Sequence, residues 1–275
     1  MEEVFGVFGD PVEHSLSPVM HNAAISALGM KAHYHAFRVC YEGLGDALLG
    51  ARAMGFGGVN LTIPLKERAF TLGFVELDSL SRVIGAVNTV DFRDGIRGFN
   101  TDGLGALRAL EDASVSLRGK SVVLLGAGGA ARAIAFQFAS VGARVLIVNR
   151  TGERGRRLAE DVATVGVAEA FSFSSMEELL DGAHVLVNAT SVGMHPLVDR
   201  TLVTGDMLHP GLVVFDIVYN PLKTRLILEA EAAGARIVTG EMMLVYQGAE
   251  AFRIWTGVLP PVDVMKRAVL DALGV

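Results

Sequence analysis

Cysteine is almost missing from this 275-residue chain, Cys40 being the single one. One thiol can form neither an internal disulfide nor a thiolate metal cage, which points to a reducing compartment and away from a zinc cluster. A surplus of positive charge is also missing: 24 Lys and Arg stand against 30 Asp and Glu, a net charge of −6. That balance argues against a nucleic-acid partner. Long apolar runs are missing as well, since Arg52, Arg132 or Arg144 interrupts the most apolar windows before the roughly 20 residues a membrane span requires. The opening "MEEVFGVFGD" is acidic and strand-like, without the basic start and apolar stretch of a signal peptide. The expectation is a soluble, cytoplasmic protein with no membrane partner. Four histidines, His14, His21, His33 and His35, fall close together. Alternation in "HYHAFRV" assigns the last two to one face of a strand, and no acidic residue completes a ligand set, so no metal is expected.

What is present is globular: 51% apolar and 20% charged residues, over a length that favours two domains. "VFGVF" (4 to 8) reads as a strand and "SPVMHNAAISALG" as a helix with Ser17 as N-cap, Pro18 at the first helical position and Gly29 past the end. "HYHAFRV" is the next strand, and "YEGLGDALLGARAM" repeats apolar residues at 44, 47, 48 and 51, a helical period. This β-α-β-α start implies a mostly parallel sheet covered by helices. Near 87 to 99, "AVNTVDF" and "IRGFN" flank Asp94-Gly95, a hairpin signal that makes the sheet mixed. After a polar stretch, "SVSLRGK", strands and helices alternate from Ser121 to about Gly240 in the doubly wound manner. Two helices without a further strand close the chain, and they are expected to return to the first domain. The reading is therefore an α/β protein of two domains: 1–101 with 241–275, and a Rossmann domain over 102–240. Hinges are expected near 100–120 and 238–242.

"VVLLGAGGAARAIAFQFA" carries Gly126, Gly128 and Ala131 as G-x-G-x-x-A between a strand and a helix. The first glycine permits the tight turn and the second lets backbone approach a pyrophosphate. The alanine permits close packing, and the helix-start amides aim positive partial charge at the phosphates. Ala127, Gly129 and Ala130 fill the same loop. NAD sites usually place an acid at the end of the second strand for the ribose hydroxyls. Here that place reads "VNRT", so Asn149 and Arg150 would meet a 2′-phosphate, with Arg154 able to add a contact. NADP is favoured.

A nicotinamide enzyme acting on an alcohol or carbonyl must also move a proton. Lys66, in "NLTIPLKERA", is the candidate. An ammonium in water holds its proton to about pH 10, which suits it as the acid in carbonyl reduction, whereas acting as a base needs a coupled partner. Asp102, in "FNTDG", is the candidate partner, and the simpler alternative makes it a helix cap.

"HSLSP" (14–18), "NLTIPLK" (60–66), "GAVNT" (85–89), "NTDG" (100–103), "GAGGA" (126–130), "NRT" (149–151), "NATSVGM" (188–194), "DIVYNP" (216–221) and "MLVYQG" (243–248) occur in an order and spacing that resembles shikimate dehydrogenases over nearly the whole chain. The resemblance implies reversible NADPH-dependent reduction of 3-dehydroshikimate to shikimate, within chorismate and aromatic amino acid biosynthesis, with Lys66 and Asp102 catalytic. It gives the substrate carboxylate to Ser15 and Ser17, and the ring hydroxyls to Thr62, Asn88, Asp102 and Gln247, with Tyr219 near the carboxylate. It adds Thr151, Thr190, Ile217 and Gly240 to the cofactor residues. A monomer or homodimer is expected.

Two other readings stay open. An NAD-preferring quinate/shikimate dehydrogenase would need an acidic residue where Asn149 and Arg150 stand. A non-catalytic dinucleotide-sensing protein would have no use for both Lys66 and Asp102.

Overall fold

The run "VFGVF" lies inside β1 (Glu3–Gly9), whose last five residues are all buried, as expected of a strand covered on both faces. The structure is a computed structural model that describes residues 2–275, and it divides into two compact units: residues up to Asp102 with Val245–Val275, and Gly103–Leu244.

In the first unit β1 pairs in parallel with β2 (Ala32–Arg38) and β3 (Gly58–Leu61). β4 (Glu76–Leu77), β5 (Thr89–Asp91) and β6 (Arg97–Phe99) complete a six-stranded sheet of order β2-β1-β3-β5-β6-β4. β5 is antiparallel to both β3 and β6, so the hairpin around Asp94-Gly95 forms, with Gly95 at φ +115°. α1 (Ser17–Ala27), α2 (Leu44–Ala53), α3 (Leu65–Phe70) and α4 (Ser79–Ile84) connect the strands. Phe8, Leu44, Leu48, Val59, Leu61, Leu65 and Val90 form one continuous core.

One local expectation is corrected. Ser17 is the first helical residue of α1 and Leu16 occupies the capping position, with no side-chain cap bond. The Ser17 amide itself donates to Ser15 Oγ at 3.3 Å, so the hydroxyl that meets this amide comes from the residue two positions earlier. His21 is fully buried, with its ring 4.3 Å from that of Tyr34 at an interplanar angle of 7°. Burial lowers its pKa to about 3.

The second unit begins with α5 (Asp102–Asp112), whose first residue belongs to the first unit. It continues through β7 (Ser121–Leu125), α6 (Gly129–Ser140), β8 (Arg144–Val148), α7 (Gly152–Val162), β9 (Val167–Phe171) and α8 (Met176–Asp181). β10 (Val185–Asn188), β11 (Val213–Asp216), α9 (Arg225–Ala232) and β12 (Arg236–Val238) follow. The sheet is wholly parallel in the order β12-β11-β10-β7-β8-β9. That is the doubly wound nucleotide-binding order, in which ligands bind beyond the carboxyl ends of the strands. β9 and α8 were not apparent in the sequence, because the edge strand "VAEAF" has no fully buried residue and no apolar run.

α10 (Gly240–Thr256) and α11 (Val262–Leu273) close the chain without another strand. The residues from Val245 onward belong to the first unit, where Trp255 stacks on Phe5 and donates to the Val90 carbonyl at 3.0 Å.

Candidate functional site

In the first unit, β3 leads through a tight turn into α3, where the Leu65 amide donates to the Thr62 carbonyl at 2.8 Å. Lys66 thereby stands in the first turn of a short helix. Its Nζ donates to Asp102 Oδ2 at 2.6 Å, with the lysine side chain 17% and the aspartate side chain 4% exposed. A buried carboxylate requires full pairing, and Asp102 has it: Asn88 Nδ2 donates to Oδ1 at 2.9 Å. Its own backbone amide donates to Asn100 Oδ1 at 3.1 Å. Both carboxylate oxygens thus face side chains of the site.

Asn88 is the hub of this constellation. Its Nδ2 also donates to Gln247 Oε1 at 3.3 Å, a residue on α10 far along the chain. Ser15 and Ser17 lie side by side at the start of α1, with the Ser17 amide donating to Ser15 Oγ at 3.3 Å. Thr62 is half-buried, its amide bonded to the Phe8 carbonyl at 2.9 Å. Lys66, Asp102, Asn88 and Gln247 are therefore joined by hydrogen bonds. Ser15 and Ser17 form a separate pair, and Tyr219 belongs to the second unit. An ammonium, a carboxylate, two amides and hydroxyls in one unit can hydrogen-bond a polyhydroxylated acid and carry a proton to or from its oxygen.

In the second unit, β7 ends at the glycine loop. Gly126 has φ +114°, a region that L side chains avoid, and a Cβ there would lie 2.9 Å from the Ala189 carbonyl oxygen. A Cβ on Gly128, by contrast, would meet open space. This glycine keeps backbone accessible for a ligand's approach, and α6 begins one residue later, with Gly129 and Ala130 in its first turn. Arg154 Nη2 donates to the Ala127 carbonyl at 3.4 Å, which brings that guanidinium to the loop. Asn149 Nδ2 donates to the Thr151 carbonyl at 2.9 Å. Arg150 is exposed at the end of β8, and no acidic residue stands beside it until Glu153. The donor set fits a dinucleotide carrying a 2′-phosphate.

Two polar residues overlooked in the sequence organise the neighbouring loop. Asn188 closes β10 and donates to Asp216 Oδ1 at 2.9 Å, while its Oδ1 accepts from the Thr190 hydroxyl at 2.7 Å. Asp216, fully buried at the end of β11, also accepts from Thr224 Oγ1 at 2.6 Å and from the Val218 amide at 3.0 Å. Burial raises its carboxyl to a pKa of about 6 against the pull of those donors. The Thr190 loop is thereby tied to the strand that precedes Ile217. Gly240 passes so close to this strand end that a Cβ would lie 2.4 Å from the Ile217 carbonyl oxygen. The signal available beforehand was a lone polar residue at the end of each apolar run, "HVLVN" and "LVVFD".

Three family models match the chain: the shikimate dehydrogenase substrate binding domain over residues 7–90, shikimate/quinate 5-dehydrogenase over 108–221, and the shikimate 5′-dehydrogenase C-terminal domain over 240–270. A curated relative, the shikimate dehydrogenase (NADP(+)) of Methanosarcina acetivorans, is 59% identical, with 99% of each chain covered. A crystal structure of a shikimate dehydrogenase in complex with NADP+ superposes with TM-score 0.92 at 41% identity, covering 98% of this chain and 96% of that one. The Thermus thermophilus enzyme in complex with NADP(H) and shikimate gives TM-score 0.90 at 39% identity, covering 98% and 99%. With matches of this extent, the chain belongs to the shikimate dehydrogenase family.

Proposed function

We propose that this protein is an NADP-dependent oxidoreductase that reversibly reduces 3-dehydroshikimate to shikimate, a step of chorismate and aromatic amino acid biosynthesis. The single observation that carries this reading beyond family membership is the 2.6 Å contact of Lys66 with Asp102, held in place by Asn88. Lys66 and Asp102 are the proton-handling pair. In reduction the lysine ammonium gives a proton to the carbonyl oxygen, and in oxidation it takes the hydroxyl proton back. Asp102 holds the ammonium by a charge-assisted hydrogen bond and keeps it aimed. NADPH, when bound, supplies the hydride.

Ser15 and Ser17 bind the substrate carboxylate through neutral hydroxyls. Thr62, Asn88, Asp102 and Gln247 bind the ring hydroxyls, and Tyr219 lies near the carboxylate. The unit containing residues up to Asp102 is the substrate domain, and Gly103–Leu244 the cofactor domain. Gly126, Ala127, Gly128, Gly129 and Ala130 bind the pyrophosphate. Asn149, Arg150, Thr151 and Arg154 take the 2′-phosphate, and Thr190, Ile217 and Gly240 line the remainder of the nucleotide site. No described helix is long and apolar enough to cross a membrane. We place the enzyme in the cytoplasm, as a monomer or homodimer, acting on a small-molecule substrate without nucleic-acid or membrane partners.

The NAD-preferring quinate reading is disfavoured by Asn149 and Arg150 at the end of β8, and the sensor reading by the paired Lys66 and Asp102. Absorbance of reduced nicotinamide tests all three, with shikimate or quinate offered together with NADP+ or NAD+. Reduction should be fastest with shikimate and NADP+. Preference for NAD+ and quinate would favour the second reading, and no turnover with any pair would favour the third.

A further inference from the structure

The sheet of the first unit breaks its own pattern at its centre. β3 and β5 are interior strands, where apolar and β-branched residues are favoured. Yet Asn60 on β3 is buried, and Asn88, just before β5, and Thr89, its first residue, are 1% and 0% exposed. Burying an amide is costly unless its donors and acceptors are matched, so each of these groups needs a partner.

Chemistry dictates which way the bonds run. The Asn88 backbone carbonyl can only accept, so the group facing it at 3.1 Å is Asn60 Nδ2. Asn60 Oδ1 then faces the Tyr34 hydroxyl at 2.8 Å, and that hydroxyl must donate. Tyr34 is buried, which pushes its ionisation well above the usual phenol range and keeps it a donor. Asn60 Nδ2 also donates to Thr89 Oγ1 at 3.1 Å. The one Thr89 proton then has two oxygens before it, Asn88 Oδ1 at 2.9 Å and the Thr101 hydroxyl at 3.5 Å, and the shorter contact takes it. Asn88 Oδ1 accepts from the Thr101 amide as well, at 2.8 Å. With its oxygen so engaged, Asn88 must turn its Nδ2 toward Asp102 Oδ1 at 2.9 Å. Asn88 Nδ2 is shared with Thr101 Oγ1 at 2.9 Å and Gln247 Oε1 at 3.3 Å, but one continuous line of donors runs from Tyr34 through Asn60, Thr89 and Asn88 to the carboxylate that carries Lys66 on its other oxygen.

We propose that Tyr34, Asn60 and Thr89 are positioning residues: a one-way chain of buried donors that locks the Asn88 amide toward Asp102 and so aims the lysine–aspartate pair. Aligned hydrogen bonds in a low-dielectric interior polarise and strengthen one another. This chain rests on the reading above, in which Lys66, Asp102 and Asn88 carry the reaction. None of the three acts on substrate directly; each acts through Asn88.

The test compares Thr89→Val, Thr89→Ser and Tyr34→Phe with the parent chain, measuring kcat and KM for shikimate with NADP+ alongside thermal unfolding. Thr89→Val should lower kcat about 10-fold or more, as for loss of a buried hydrogen bond that leaves its partners unpaired, with KM changed by less than about threefold. Thr89→Ser, which keeps the hydroxyl and loses only a methyl, should return kcat to within about threefold of the parent. Tyr34→Phe should lower kcat by about threefold to tenfold. A folded Thr89→Val with parental kcat would overturn the proposal, as would Thr89→Ser impaired as deeply as Thr89→Val, since packing would then be the cause. If Thr89→Val does not fold, Tyr34→Phe decides, and parental kcat in that variant overturns the chain. A parent without turnover removes the functional reading and this inference together, whereas an active parent with unaffected variants removes the inference alone.

Discussion

Lys66 and Asp102 are 36 residues apart in sequence, yet Nζ and Oδ2 lie 2.6 Å apart. The lysine comes from the first turn of α3 and the aspartate from the first residue of α5. Such a pair persists in a site that water largely leaves only when both charges are matched. Lys66→Ala should therefore lower kcat by about 10²-fold or more, as for loss of general acid–base help, with a smaller change in KM. Steady-state kinetics in both directions checks this, and a parental kcat would remove Lys66 from the mechanism.

Arg150 stands where an NAD-preferring site would carry an acid. Arg150→Ala should weaken NADP+ binding by about 1 to 3 kcal/mol and leave NAD+ binding nearly unchanged, because only the first has a 2′-phosphate to lose. Calorimetric titration with each cofactor distinguishes this from an equal loss for both, which would point to a general effect on the loop.

Asp216 holds its proton more tightly in the folded chain than when unfolded, with burial raising its pKa to about 6 from the ordinary 3.8. Its contribution to stability is full below about pH 4 and is lost as pH rises to about 6, an effect on the order of 3 kcal/mol. Asp216→Asn removes the titration. The parent minus variant difference in unfolding free energy should therefore fall as pH rises from about 4 to 6. A difference that is flat with pH would show that this carboxyl does not titrate in that window.

His21 has the opposite sign. Burial lowers its pKa to about 3 from 6.5, so the unfolded chain takes up a proton that the folded chain refuses. The stability present above about pH 6.5 is lost as pH falls toward 3, on the order of 5 kcal/mol. His21→Phe keeps a ring against Tyr34 and Phe252 and abolishes the titration. Its acid unfolding midpoint should lie at lower pH than the parent's, and an unchanged midpoint would mean that other groups dominate acid unfolding.

Much of the fold was legible because its signals are local. The left-handed turn at Gly126 calls for glycine whatever lies around it, and the helical period of α2 and the hairpin at Asp94-Gly95 are written within a dozen residues. The short elements β3, α3, β4, α4, β9 and α8 were not legible. Each has six residues or fewer, too few for a periodicity to stand out, and they form because neighbouring strands and core residues supply what propensity does not.

The sequence by itself determined the chemistry on offer: a lysine and an aspartate able to share a proton, a glycine turn for phosphates, and no carboxylate immediately after β8. Only the tertiary structure decided how those groups are used. Strand register sets Asn60 opposite Thr89, packing brings the Tyr34 hydroxyl to Asn60 Oδ1, and the meeting of β10 with β11 gives Asn188 to Asp216. The reason is that a hydrogen bond between buried side chains depends on register and on burial. Both are properties of contacts between segments remote in the chain, which no local pattern encodes.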